Sequence, residues 1–159
     1  MREQHEASMN LLERTESFLR AIWEEGDAGA LGRILTEDAK MHGLEEMDLM
    51  GPAAFAAFHC MVLRQFEDVK ITEVTGISDG PMVAMSFRIS AVERRKHRHV
   101  SCMAYLMARY RGDKICEGQN FLDFVSLFEQ AGRLPARTRD MCLLGSELHL
   151  VPQNHRRAH

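Results

Sequence analysis

Residues 82–132, MVAMSFRISAVERRKHRHVSCMAYLMARYRGDKICEGQNFLDFVSLFEQAG, decide the fold. Val83, Met85, Phe87, Ile89 and Ala91 alternate with Ala84, Ser86, Arg88 and Ser90, the period-two pattern of a strand with one apolar face. A charged connection, Glu93-Arg94-Arg95-Lys96-His97, leads to a second strand. There Val100, Cys102, Ala104, Leu106 and Ala108 oppose Ser101, Met103, Tyr105, Met107 and Arg109. Arg111-Gly112-Asp113-Lys114 reads as a hairpin turn, and the next strand runs from Ile115 to Leu122. Asp123 then caps a helix that buries Phe124, Leu127, Phe128 and Ala131; Gly132 ends it and Pro135 prevents a restart.

Upstream the pattern changes. Val69, Ile71 and Glu73 alternate with Lys70, Thr72 and Val74, and Gly76 to Pro81 reads as the closing turn. Gly51-Pro52 starts a helix with Phe55, Phe58, Val62 and Phe66 on one stripe. Leu11, Thr15, Phe18 and Ile22 fall on one face of the first helix, flanked by Leu12, Leu19 and Trp23 and stopped by Gly26-Asp27. A short helix with Leu31, Ile34 and Leu35 inward and a brief strand from Ala39 to Gly43 lie between. Helices first and strands after give an α+β fold, its helices packed on one face of a curved antiparallel sheet. Such a sheet leaves a pocket at one end of its concave face. Its convex face also needs cover, which a homodimer supplies most simply.

At 159 residues, 45% hydrophobic and 27% charged, the chain is long enough for one domain with a sizeable core. No run approaches the ~20 apolar residues of a membrane span, and the first sixteen residues lack the apolar stretch of a signal peptide. A cytoplasmic protein is expected. The net charge of −3 argues against general phosphate neutralisation, so nucleic acid is not an expected partner. Cys60, Cys102, Cys116 and Cys142 are too widely spaced for a zinc motif and read as free thiols. His97 and His99 share a strand face without a third ligand nearby, so no metal is expected.

The order of several short motifs resembles the SnoaL-like polyketide cyclases and ester cyclases of the nuclear transport factor two-like superfamily. These are Trp23 before Gly26-Asp27, Glu37-Asp38 leading into Met41-His42-Gly43, Gly51-Pro52, Phe66-Glu67-Asp68-Val69, and Asp79-Gly80 with Val83-Ala84. Arg109 to Gly132 carries the strongest likeness, similar to the family's Gly-Lys-Ile-x-Glu strand and Asp-x-x-x-Leu-x-x-Gln-x-Gly helix. The resemblance runs from about Glu13 to Pro135 and implies a cone-shaped fold enclosing a pocket, residues 1–135. It also implies cofactor-independent acid/base chemistry on a hydrophobic carbonyl or polyketide-like molecule: cyclisation, isomerisation or hydration. The interval Ala91 to Val100 lacks the longer loop of the ester cyclases, with its Gly-Thr-His and Pro-Thr-Gly elements.

Related enzymes place an acid/base Asp on the final long strand, a position that aligns with Asn120, three residues before Asp123. An amide cannot act as a general base. His42, with an ordinary imidazole, is then the titratable candidate for proton transfer. Catalytic candidates are therefore His42, Asn120 and Asp123, although Asp123 is also explained as a helix cap. Trp23, Arg88 and Tyr105 are the candidate binding residues, with Arg88 suited to a carboxylate or enolate and Tyr105 to a hydrogen bond. Two readings stay open: a cofactor-independent enzyme, or a ligand-binding or dimeric module that kept the cone and lost the base. Residues 136–159 form a C-terminal extension. Its apolar Met141, Cys142, Leu143, Leu144, Leu148, Leu150 and Val151 are expected to dock on the body or on a partner subunit. The polar end from Pro152 is expected to be disordered.

Overall fold

The computed structural model describes residues 2–151, with side chains from residue 11 onward. Its order is α1 (Arg2–Trp23), α2 (Gly29–Ile34), β1 (Leu35–His42), β2 (Leu49–Met50), α3 (Gly51–Leu63) and β3 (Phe66–Asp79). Then come β4 (Met82–Glu93), β5 (Arg98–Arg111), β6 (Lys114–Leu122), α4 (Phe124–Gln130) and α5 (Thr138–Leu143). The six strands form one curved, open sheet in the order β2-β1-β6-β5-β4-β3. The expected antiparallel sheet is corrected to a mixed one, because β1 runs parallel to β6. A strand's own alternation does not disclose which neighbour it takes, and β1 joins the last strand rather than the next.

The β4–β5 hairpin is paired without interruption from Met82↔Arg109 to Glu93↔Arg98, which is why its period-two reading holds throughout. β3 departs from the reading. Its pairing with β4 shifts between Glu67 and Lys70 and again between Thr72 and Thr75, and Asp68 and Glu73 take φ values of 51° and 53°. The second bulge reverses which residues face inward, so the strand continues past Gly76 to Asp79. Gly76 is a place of close approach: a Cβ there would lie 2.5 Å from Leu12 Cδ1 of α1.

Ile22, Leu31, Leu35, Ile71, Val83 and Ile115 are fully buried between the helices and the concave face. The buried Thr15 hydroxyl bonds the Tyr110 hydroxyl at 2.7 Å, joining α1 to β5. The buried His59 donates through Nε2–H to Ile22 O, joining α3 to α1. β3 is an edge strand, and α1 covers its open peptide groups. Glu24 Oε1 accepts from Ile71 N at 2.7 Å while Arg20 donates to Ile71 O at 2.8 Å.

The C-terminal extension begins as α5. Thr138 is buried, the Arg139 amide donates to Glu129 at 2.9 Å and its guanidinium bonds Asp123. Its apolar side chains are not folded back on this chain. Leu143, Leu144, Leu150 and Val151 are each 78% or more exposed. The expectation for residues 152–159 lies outside the described residues.

A second tie fixes β1 to β6. His42 faces Asp48 through Nδ1 at 2.9 Å and Glu117 through Nε2 at 3.1 Å, and Arg109 stands 3.6 Å from the same Glu117 carboxylate. The hydrogen bond to Asp48, with that to Glu117 behind it, raises the His42 pKa above its usual value despite the opposing effect of partial desolvation. A raised folded-state pKa means that the protonated strut stabilises the fold fully below the unfolded value of about 6.5 and is lost as pH rises through the folded value. The melting temperature of the wild type is expected to exceed that of His42→Gln most clearly below about pH 6, the gap shrinking as pH rises above neutrality. A gap that is constant from pH 5 to pH 9 would show that His42 is not charged in the fold.

Candidate functional site

The concave face and the helices enclose a cavity of about 360 Å³. α1 lends it Phe18, Leu19 and Trp23; α3 lends Phe55, Phe58, Met61 and Val62; and α4 lends Phe124, Leu127 and Phe128. Met41 of β1 and Gly118, Asn120 and Leu122 of β6 complete the wall. Trp23 packs edge-on against Phe58, with ring centroids 6.4 Å apart, and tilted against Phe55 at 6.4 Å. Among the described residues, Glu45 and Arg133 are the only ionisable lining groups. Glu45 lies in the exposed segment after β1, and Arg133 is already engaged. It donates to Gln65 at 2.6 Å, pairs with the buried Glu93 at 3.4 Å and stacks over the Phe66 ring.

Asn120 is the polar group on the β6 wall. It pairs with Leu106 of β5, whose side chain is in the core, so the Asn120 side chain stands on the concave face. Its Nδ2 donates to His42 O at 3.1 Å and reaches Gly118 O at 3.5 Å. Two glycines make this possible. Gly43 has φ +82°, and a Cβ on it would lie 2.0 Å from Asn120 O. A Cβ on Gly118 would lie 2.6 Å from Met41 Sδ. The chain therefore crosses Asn120 in contact with it, and Met41 lies directly on β6.

Of the six candidate residues, the fold brings Trp23 and Asn120 to the cavity and disperses the others. As joint catalytic candidates His42 and Asn120 would have to face one cavity, and the register separates them. Met41 pairs with Gly118 and points inward, so His42, paired with Gln119, points to the convex face. Arg88 is on that outer face as well, donating to Glu73 at 3.0 Å and to Ser101 at 3.4 Å. Tyr105 is half exposed there, its ring 6.3 Å from that of Phe121. Asp123 accepts from Ser126 N at 3.1 Å as the α4 cap and holds Arg139, away from the cavity lining. Among the described residues, no group of three His, Cys, Asp or Glu side chains is arranged to hold a metal ion.

The sequence reading missed the α4 wall and the close passage at Gly43. Phe124, Leu127 and Phe128 are half buried because they border empty space. Their helical spacing is the same for a core face and a cavity wall, so nothing in the sequence marked them. Gly43 beside Met41-His42 was the available signal for a close chain crossing.

Comparison with solved structures gives the same architecture. A protein of ketosteroid isomerase-like fold from Catenulispora acidiphila, solved in complex with trimethylamine, superposes with a TM-score of 0.67 at 20% identity, over 76% of this chain and 92% of that one. IdmH of Streptomyces antibioticus, a proposed polyketide cyclase, gives 0.65 at 19% identity over 76% and 98%. AclR of Streptomyces galilaeus, a proposed hydroxylase, gives 0.69 at 18% identity over 87% and 95%. Comparison with curated proteins finds no match. The family profile of the SnoaL-like polyketide cyclases matches residues 13–131, most of the chain and all of the cavity wall except Arg133. The chain therefore belongs to the SnoaL-like polyketide cyclase family.

Proposed function

We propose that this chain binds a small hydrophobic, polyketide-like molecule in the cone and does so as a ligand-binding member of its family, without proton transfer by its own side chains. One observation carries the reading: the polar group on the β6 wall is Asn120, an amide, where the resemblance to the family implies an acid/base Asp. Of the titratable alternatives, His42 is on the outer face and Asp123 caps a helix, while Glu45, the carboxylate of the cavity lining, lies in the exposed segment after β1, away from the β6 wall. Apolar walls of this kind favour a ligand with a large hydrophobic surface.

The second reading, a cofactor-independent cyclase, isomerase or hydratase, is favoured by family membership. It requires a base inside the cone or reaction by positioning alone.

Trp23, the one tryptophan of the chain, lines the cavity and reports on its filling. Titration with naphthalene is expected to change its fluorescence saturably, and Leu122→Phe with Leu127→Phe should weaken binding by about tenfold or more. No saturable change with naphthalene would remove the reading. Proton exchange into 2-tetralone in deuterated buffer separates the two readings. The wild type is expected to leave the buffer rate unchanged, whereas Asn120→Asp, a desolvated carboxylate in an apolar wall, should accelerate it. Acceleration by the wild type would favour the enzyme.

We also propose a cytoplasmic homodimer. The convex face exposes Ile77 (74%), Tyr105 (50%), Met107 (47%) and Phe121 (64%) around an open groove, an apolar patch of the kind that a second copy covers. Leu143 to Val151 would find cover on the same partner. Light scattering at micromolar concentration should give twice the chain mass, and Tyr105→Glu with Phe121→Glu should give the monomer. A wild-type monomer would dispose of the dimer.

A further inference from the structure

The hydrogen-bond state of Asn120 goes further than its lack of a titratable proton. Its Nδ2 faces two backbone carbonyl oxygens, His42 O at 3.1 Å and Gly118 O at 3.5 Å. Carbonyl oxygens only accept, so the amide cannot be turned over: Oδ1 against the same two oxygens would set acceptor against acceptor. The β1–β6 pairing holds those carbonyls in place, and the crossing of Gly43 against Asn120 O holds the backbone beneath. The amide has one orientation, with its N–H groups spent on the protein.

Oδ1 is what remains for the cavity. No donor among the described residues bonds it, and it is not among the buried side-chain polar atoms left without a partner, so Asn120 Oδ1 is unpaired yet open. Around it the wall is Met41, Leu106, Gly118 and Leu122, none of which carries a side-chain donor. We infer that Asn120 Oδ1 selects the ligand: the cone takes hydrophobic molecules that present a hydroxyl or N–H donor to this oxygen, and disfavours those that present a carbonyl or enolate there. The inference rests on the cavity-binding reading above and sharpens it. A phenol or alcohol fits, because its apolar body fills the space between the aromatic walls while its O–H meets the fixed acceptor of the β6 wall. An enolate oxygen would meet a fixed acceptor, which places Asn120 outside the role of an oxyanion donor.

Two probes of nearly equal size test this. 2-Naphthol carries an O–H donor at neutral pH, and 2-fluoronaphthalene carries fluorine in its place. Both are titrated against Trp23 fluorescence at pH 7 in the full chain. The wild type is expected to prefer 2-naphthol by about fivefold, the range of one hydrogen bond. In Asn120→Leu, which keeps the branched shape and removes the acceptor together with the amide donor to His42 O, the preference should fall to about one, while Asn120→Thr, which keeps an acceptor oxygen, should retain part of it. Equal or tighter binding of 2-fluoronaphthalene by the wild type overturns the inference and leaves the cavity-binding reading standing. Saturable binding of neither probe overturns both. Should Asn120→Leu fail to fold by circular dichroism, the wild-type probe pair decides alone.

Discussion

The parallel pairing of β1 with β6 is the constraint from which the cavity follows. Met41 against Gly118 and His42 against Gln119 set the register, and that register sends Met41 inward and His42 outward. It also brings His42 O to the Asn120 amide. A one-residue slip would exchange the two faces, placing an imidazole in the cone and a thioether in water. Three features oppose the slip: the Gly43 crossing, which tolerates no Cβ, the Met41 sulfur seated on Gly118, and the His42 strut to Asp48 and Glu117. Each acts on a different atom, so the register does not depend on the charge state of the histidine alone.

The legibility of the sequence tracks where each element finds its partners. The β4–β5 hairpin pairs with itself over twelve positions, and its alternation reads directly. Asp123 and Gly132 bracket α4 by local chemistry, cap and left-handed stop, and both are visible in the residues. β3 is harder, since a bulge at a residue with positive φ leaves no mark in an Asp or Glu. The position of His42 was the costliest error. A single histidine on a short strand faces in or out according to a pairing made some 75 residues later, with Glu117. The face of Asn120 is legible because Gly118 and Leu122, two residues to either side on the strand, share it and line the same wall.

Most acidic and basic groups near the cone, Glu45 apart, serve as fasteners. Glu93 is buried, and the Lys96 amide, with the Arg133 guanidinium after it, holds its carboxyl below the usual range. Asp123 caps one helix and retains the start of α5. Gln130 presents its amide to β5 as a further strand would, accepting from Ser101 N at 2.8 Å and donating to Ser101 O at 2.8 Å. α4 is thus fastened at both ends by polar contacts. Its apolar side chains are free to border a space instead of filling it.

That arrangement keeps an apolar cavity open between α4 and the sheet. A helix held chiefly by hydrophobic packing would collapse into a void of this size, since each Å² of apolar wall recovered from water is worth about 25 cal/mol. Here the Gln130–Ser101 pair ties α4 to β5, and the Asp123 cap and the Arg139–Asp123 contact fasten its first turn and the start of α5, so the helix is held by more than its apolar side chains. Phe124, Leu127 and Phe128 remain half buried, and under the ligand-binding reading proposed above a molecule in the cone would complete their burial. On that reading the ligand would take the place of core, and its binding would add packing that the protein's own side chains do not supply.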